Sequence, residues 1–169
     1  RMVSTNSVLF RRSVIFVGFG ASQHMFAGSY YFLNGEFSKD ADRIDAMINL
    51  DMLGTGNEGF YAFTSSNTDL NSIISALKGE LQPILPELTS QEPYPSDHRS
   101  FYAAEIPSVF FTSGRYAQHN TPKDTESIID YESMERELEY IYNFTVSTSN
   151  RGADISFRSV DEPRKVKVQ

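Results

Sequence analysis

A small set of side chains in this chain has the types and spacing that chemistry needs. Ser22, Gln23 and His24 follow a glycine turn, Gly18-Phe19-Gly20. Asp51 sits inside an apolar stretch, Ile48-Asn49-Leu50-Asp51-Met52-Leu53. Asp97 and His98 come directly after Ser96, and His119 lies in a loop after Ser113-Gly114. A carboxylate in an apolar run must be paired, hydrogen-bonded or metal-bound, because burying it bare is costly. Histidine can hold a metal or move a proton near neutral pH. A serine hydroxyl does not take up a proton there, and a glutamine amide is a far weaker metal ligand than a carboxylate. None of the three residues at the glycine turn is a carboxylate.

The elements around these residues are legible from pattern. Residues 14–19 are apolar with one glycine, as in a strand covered on both faces. The glycines then allow a sharp turn. Met25, Phe26, Ser29, Tyr30 and Phe32-Leu33 have helical spacing, with Asn34-Gly35 as the stop, and Gly28-Ser29 implies close helix packing. Residues 44–53 read as a second buried strand and residues 60–64 as a strand nearer an edge. Asn67 or Thr68 caps a helix over residues 69–81, with Leu70, Ile73, Ile74 and Leu77 on one face. Pro83, Pro86, Pro93 and Pro95 mark a loop-rich crossing. Ser96 is a natural N-cap for the helix after it. Residues 108–112 read as a third buried strand. Tyr131, Met134, Leu138, Ile141 and Thr145 form one face of a final helix, with Asp124-Thr125 as a cap for the element after them. Glu132, Glu135, Arg136, Glu137 and Glu139 read as the solvated face of that helix. Val8, Leu9 and Phe10 could extend a helix that begins before Arg1. Val166 and Val168 could form an edge strand in an otherwise polar tail.

Buried strands alternating with helices predict an α/β fold with a mostly parallel sheet. One domain over residues 1–150 is expected, followed by a polar tail, 151–169. The chain has 169 residues, 40% of them hydrophobic, which is enough for one core. Its net charge of −7 argues against nucleic acid as a partner. No apolar run approaches the roughly 20 residues that span a bilayer. With no cysteine, disulfides and thiolate metal sites are excluded. The start at Arg1, without a signal peptide, reads as a processed product or a fragment of something longer. Asn143-Phe144-Thr145 matches a glycosylation sequon, a triplet common by chance.

The order of motifs resembles a known family. Gly-Phe-Gly-Ala ends the first strand, and Gly-Ser follows in a helix. Asn-Leu-Asp-Met-Leu-Gly, Ser-Asp-His, Ile-Pro-Ser-Val-Phe-Phe, Thr-Pro-Lys-Asp-Thr and Ile-Asp-Tyr-Glu-Ser-Met-Glu come after, over about residues 14–146. Together they are similar to the co-catalytic zinc aminopeptidases, whose family also includes the glutaminyl cyclases. The resemblance implies a three-layer α/β/α sandwich around a mixed, mostly parallel sheet. It also implies two zinc ions held by histidines and carboxylates, with a glutamate as general base on a metal-bound water.

Carried over residue by residue, Asp51 takes the place of the aspartate ligand and His119 that of the second histidine. Asn120 adds one residue before the Thr121-Pro122 pair. Ser22 stands where the general-base glutamate would be, and Gln23 where a glutamate ligand would be. The first histidine and the bridging aspartate are expected upstream, and the 13 residues before Val14 hold no histidine or acid. Asp97 and His98 read either as a pair behind the pocket or as a helix N-terminus, where the dipole favours an acid. Asp51 by itself reads more readily as a buried aspartate capping a turn, and it is the resemblance that makes it a ligand position. His24 as a substitute ligand is disfavoured by its place on the turn.

The expected function is an aminopeptidase-like domain, inactive as it stands, that retains the fold for binding a peptide or scaffolding a partner. Two alternatives are kept. One is the carboxyl-terminal part of an active zinc aminopeptidase completed by another segment; the other is a cyclase-like transferase. Lost strands would leave a sheet edge, to be covered by a partner chain, by the tail or by a second copy. Family resemblance implies a secreted or periplasmic setting.

Overall fold

The computed structural model describes residues 1–35, 37–55 and 59–157. A short helix α1 (Met2–Thr5) and a 3-10 turn (Ser7–Leu9) open the chain. They are followed by α2 (Ala27–Asn34), β1 (Met47–Leu50), β2 (Tyr61–Phe63), α3 (Thr68–Leu77), β3 (Glu87–Thr89), α4 (His98–Ala103), β4 (Ser108–Thr112) and α5 (Tyr131–Ser149). Four strands form one sheet in the order β1-β4-β2-β3. β1 runs parallel to β4, with Met47 opposite Ser108 and Leu50 opposite Phe111. β2 is antiparallel to β4 and parallel to β3. The sheet is therefore mixed, with helices against it, as expected of the α/β fold.

β4 is the centre of the core. All of its residues are buried, and its side chains alternate between two layers. Val109 and Phe111 pack with Phe60, Leu70, Ile74, Tyr140 and Phe144, which come from β2, α3 and α5 and their edges. Phe110 faces the other way, stacked on His98 of α4 at 4.8 Å and edge-on to Tyr94 at 5.1 Å. On that side Leu33, Met47, Phe101 and Ile106 make a second, smaller cluster.

Several local expectations are corrected. Residues 14–19 form no strand, and Ile15, Phe16 and Val17 are 59%, 76% and 43% exposed. A strand needs a ladder partner, and none of the described strands lies against this segment. The second strand is shorter than expected: only Met47–Leu50 pair with β4, opposite Ser108–Phe111. β2 lies inside the sheet rather than nearer an edge. β3, within the proline-rich crossing, takes the edge instead, where a strand follows Pro86 without needing its N–H.

α3 ends at Leu77 and is capped by Asn67, whose side chain accepts from the Leu70 N–H at 3.0 Å. Thr125 stands at the N-cap of a 3-10 turn, Glu126–Ile128, and α5 is capped by Asp130, whose side chain accepts from the Ser133 N–H. Its buried stripe is Glu137, Tyr140, Ile141, Phe144 and Thr148, so the face is rotated from the expected one and Glu137 is not solvated. The Gly28-Ser29 packing is present. A Cβ on Gly28 would run into the Gly20 carbonyl, and Ser29 is buried.

Residues 151–157 return along the core. Ile155 is buried, and its N–H donates to Asp45. Val166 and Val168 lie outside the described residues. Among the described residues no helix is long and apolar enough to cross a membrane.

Candidate functional site

The carboxyl ends of parallel strands are where open α/β sheets gather ligands. Here β1 ends at Asp51, and β4 ends at Thr112, Ser113 and Gly114. The Asp51 carboxylate accepts from the Ser96 hydroxyl at 2.8 Å, and that hydroxyl accepts from the Asn49 amide at 2.9 Å. Ser96 is thus used up on Asp51 and does not cap α4, which begins one residue later than its sequence pattern implies. Ser22 donates to Asp97 at 2.6 Å. The other Asp97 oxygen is buried with no partner among the described residues, and Asp97 is 7% exposed. Tyr94 donates to the Asp51 carbonyl at 3.1 Å and shares a 2.7 Å bond with Thr112. The Arg115 guanidinium sits 5.1 Å above the Tyr94 ring.

Burial is the largest influence on the Asp51 carboxyl and pushes it above its usual range. The Ser96 bond and, more weakly, the charge of His119 pull it back, while the like charge of Asp97 pushes it further. Burial likewise raises the Tyr94 phenol. The site is a half-desolvated acidic pocket, suited to a group that brings positive charge.

Ser22, Gln23, Asp51, Asp97 and His119 all line one cleft. His24 is exposed and is not part of that lining. His98 also points away from it. Its Nε2 is bonded to Glu92 at 2.8 Å, and Glu92 in turn pairs with Arg99. His119 packs edge-on to Tyr116, which donates to Asp124. Among the described residues no three histidine, cysteine or carboxylate side chains converge as a metal would need. The residues brought together here do not by themselves fit a zinc ion.

Glu137 is the contributor that charge patterning hides. One carboxylate oxygen accepts from the Gly54 N–H at 2.8 Å and the other from the Ser113 hydroxyl at 2.7 Å. It thereby ties the loop after Asp51 to the loop after β4. Gly54 has φ +70°, and a Cβ there would press on Met134. The signal was available, since residues 137, 140, 141, 144 and 148 keep helical spacing.

The model of peptidase family M28 matches residues 1–145. The chain belongs to that family. Solved aminopeptidase structures agree in fold. An aminopeptidase from Aneurinibacillus sp. strain AM-1 is 25% identical, with TM-score 0.62, over 87% of this chain and 36% of its own. The Legionella pneumophila LapA aminopeptidase is 21% identical, with TM-score 0.67, over 84% and 40%. BSAP, a zinc aminopeptidase from Bacillus subtilis, is 18% identical, with TM-score 0.60, over 82% and 37%. This chain spans about two-fifths of the length of these structures. No curated protein sequence matches it significantly.

Proposed function

We infer that this M28 domain binds peptides or a partner at the aminopeptidase cleft without hydrolysing them. Ser22 carries the reading. It occupies the position of the general-base glutamate, and its hydroxyl donates to Asp97. It has no capacity to accept a proton from water near neutral pH. Gln23, in the place of a ligand glutamate, brings no charge to a cation. Asp51 and His119 are the positions that keep the ligand chemistry, and Asp97 lies behind Ser22. The secreted or periplasmic setting rests on the family alone.

The test is a peptidase assay with zinc supplied. The chain is incubated with amino-acid amides and p-nitroanilides, and bound metal is counted by elemental analysis. The expected result is no turnover above the zinc blank. Turnover lost in Asp51→Ala would overturn the reading.

The second reading is the carboxyl-terminal part of a working zinc aminopeptidase completed by another segment. Its support is the coverage of about two-fifths of the solved aminopeptidases. It leaves Ser22 without an explanation. A cyclase-like transferase meets the same objection.

A further inference from the structure

Two of the guanidiniums that line the cleft are already paired, Arg12 with Asp45 and Asp154, and Arg43 with Asp40. Arg115 lines the same cleft, is exposed, and meets no carboxylate among the described residues. It is nevertheless held in place. Its guanidinium lies 5.1 Å over the Tyr94 ring, and the buried Thr112 hydroxyl ties down both partners of that stack. The Thr112 oxygen shares a 2.7 Å bond with the Tyr94 hydroxyl and accepts from the Gly114 N–H, next to Arg115, at 3.0 Å. The Ser113 N–H donates to the Met52 carbonyl at 3.1 Å, which fixes the same turn to the loop after Asp51. A guanidinium stacked by its face keeps its N–H edge free, and that edge matches a carboxylate through two parallel hydrogen bonds. Holding the cation over a ring also reduces the side-chain freedom that binding must remove.

The neighbourhood of Arg115 sets what a ligand must carry. The Tyr94 hydroxyl donates to the Asp51 carbonyl at 3.1 Å, so one phenol stands between the Arg115 cation and the acidic pocket. In that pocket one Asp97 oxygen is buried without a partner among the described residues, and Asp51 lies in the same lining. These carboxylates favour an ammonium group. A carboxylate alone would be repelled by them and by a chain of net charge −7. A ligand that offers both charges on one residue satisfies both ends. The first residue of a peptide does so when it is aspartate or glutamate, with its α-ammonium toward Asp51 and Asp97 and its side-chain carboxylate on Arg115. We propose that Arg115 sets the specificity of the cleft, which selects peptides that begin with an acidic residue. The proposal rests on the reading of this cleft as a peptide-binding site and narrows it to one class of peptide.

The probes are peptide amides, Glu-Ala-Ala-Ala, Gln-Ala-Ala-Ala and Lys-Ala-Ala-Ala, titrated calorimetrically into the full chain. Amidation leaves the glutamate side chain as the only carboxylate. The glutamate peptide should bind about tenfold more tightly than its glutamine isostere, a difference of about 1.4 kcal/mol. Arg115→Ala should remove that preference. Arg115→Glu should reverse the order of the charged peptides, so that the lysine peptide binds more tightly than the glutamate one. Acetylating the amino terminus of the glutamate peptide should weaken binding by a similar factor, because Asp51 and Asp97 then lose their cation. Arg115 is exposed, so its variants leave the core intact, and unchanged thermal melts verify this. Equal binding of the glutamate and glutamine peptides overturns the proposal and leaves peptide binding standing. A preference that survives Arg115→Ala overturns it as well. Absence of binding by every peptide at millimolar concentration overturns both the proposal and the reading beneath it. Selective turnover of the glutamate peptide with zinc supplied supports the selectivity and overturns only the absence of hydrolysis.

Discussion

Residues 14–19 and β4 are both short apolar runs that lead toward the same pocket, yet their surroundings are opposite. β4 has a strand on each side and a helical layer on each face, and every one of its residues is buried. The other run has a cleft on one side and leaves Phe16 mostly in solvent. Apolar composition states what a segment can be buried against. Whether burial occurs depends on a neighbour that the segment does not itself encode. The pocket inherits this asymmetry. Its Asp51 side is braced by β4, Glu137 and Ser96, while its Ser22 side hangs on a run without a ladder.

That contrast can be broken by substitution. Phe111 is fully buried against Phe60 and Phe144, so Phe111→Ala should cost about 3 to 5 kcal/mol in a urea titration. A loss below about 1 kcal/mol would mean that β4 is no more the core than the other run. Next in size is Glu137→Ala, which strands the Ser113 hydroxyl and weakens the hold on Gly54. The expected loss is about 2 kcal/mol, and Glu137→Gln should recover part of it because one oxygen still accepts.

A smaller effect comes from His98, on the braced side. Burial depresses its basicity, outweighing the pull of Glu92. The unfolded chain then binds a proton near 6.5 that the folded chain refuses. Stability from this residue is complete above that pH and falls as the pH drops from there toward the lower folded value. Thermal melts between pH 7 and pH 5 should show the decline, and His98→Gln should flatten it. The smallest effect is expected at Phe16→Ser, within about 0.5 kcal/mol of the parent, because the side chain buries so little. A larger loss would show that the run is packed more than its exposure says.

Much of the molecule is legible in its sequence alone. β4, α3 and the place of Asp51 follow from local pattern, since a buried run, a capped amphipathic stripe and an acid in an apolar stretch each carry their own signal. The grouping of Ser22 with Asp97, 75 residues apart, came from family resemblance rather than from the residues. Glu137 and Ser96 went astray for one reason. Each has a common local role, solvated charge or helix cap, and a long-range partner took it instead. The strand expected over residues 14–19 failed because pairing is a property of two segments and only one was in view.

The Arg12 guanidinium donates to the Ser149 and Arg151 carbonyls and pairs with Asp45 and Asp154. With Asn150 also bonded to the backbone of Leu9 and Arg11, the beginning of the chain is buckled to the end of α5. About four-fifths of the polypeptide lies within the loop that this buckle closes. A pull applied between Leu9 and Asp154 would load the buckle first, and β4 would carry none of the force until it had opened.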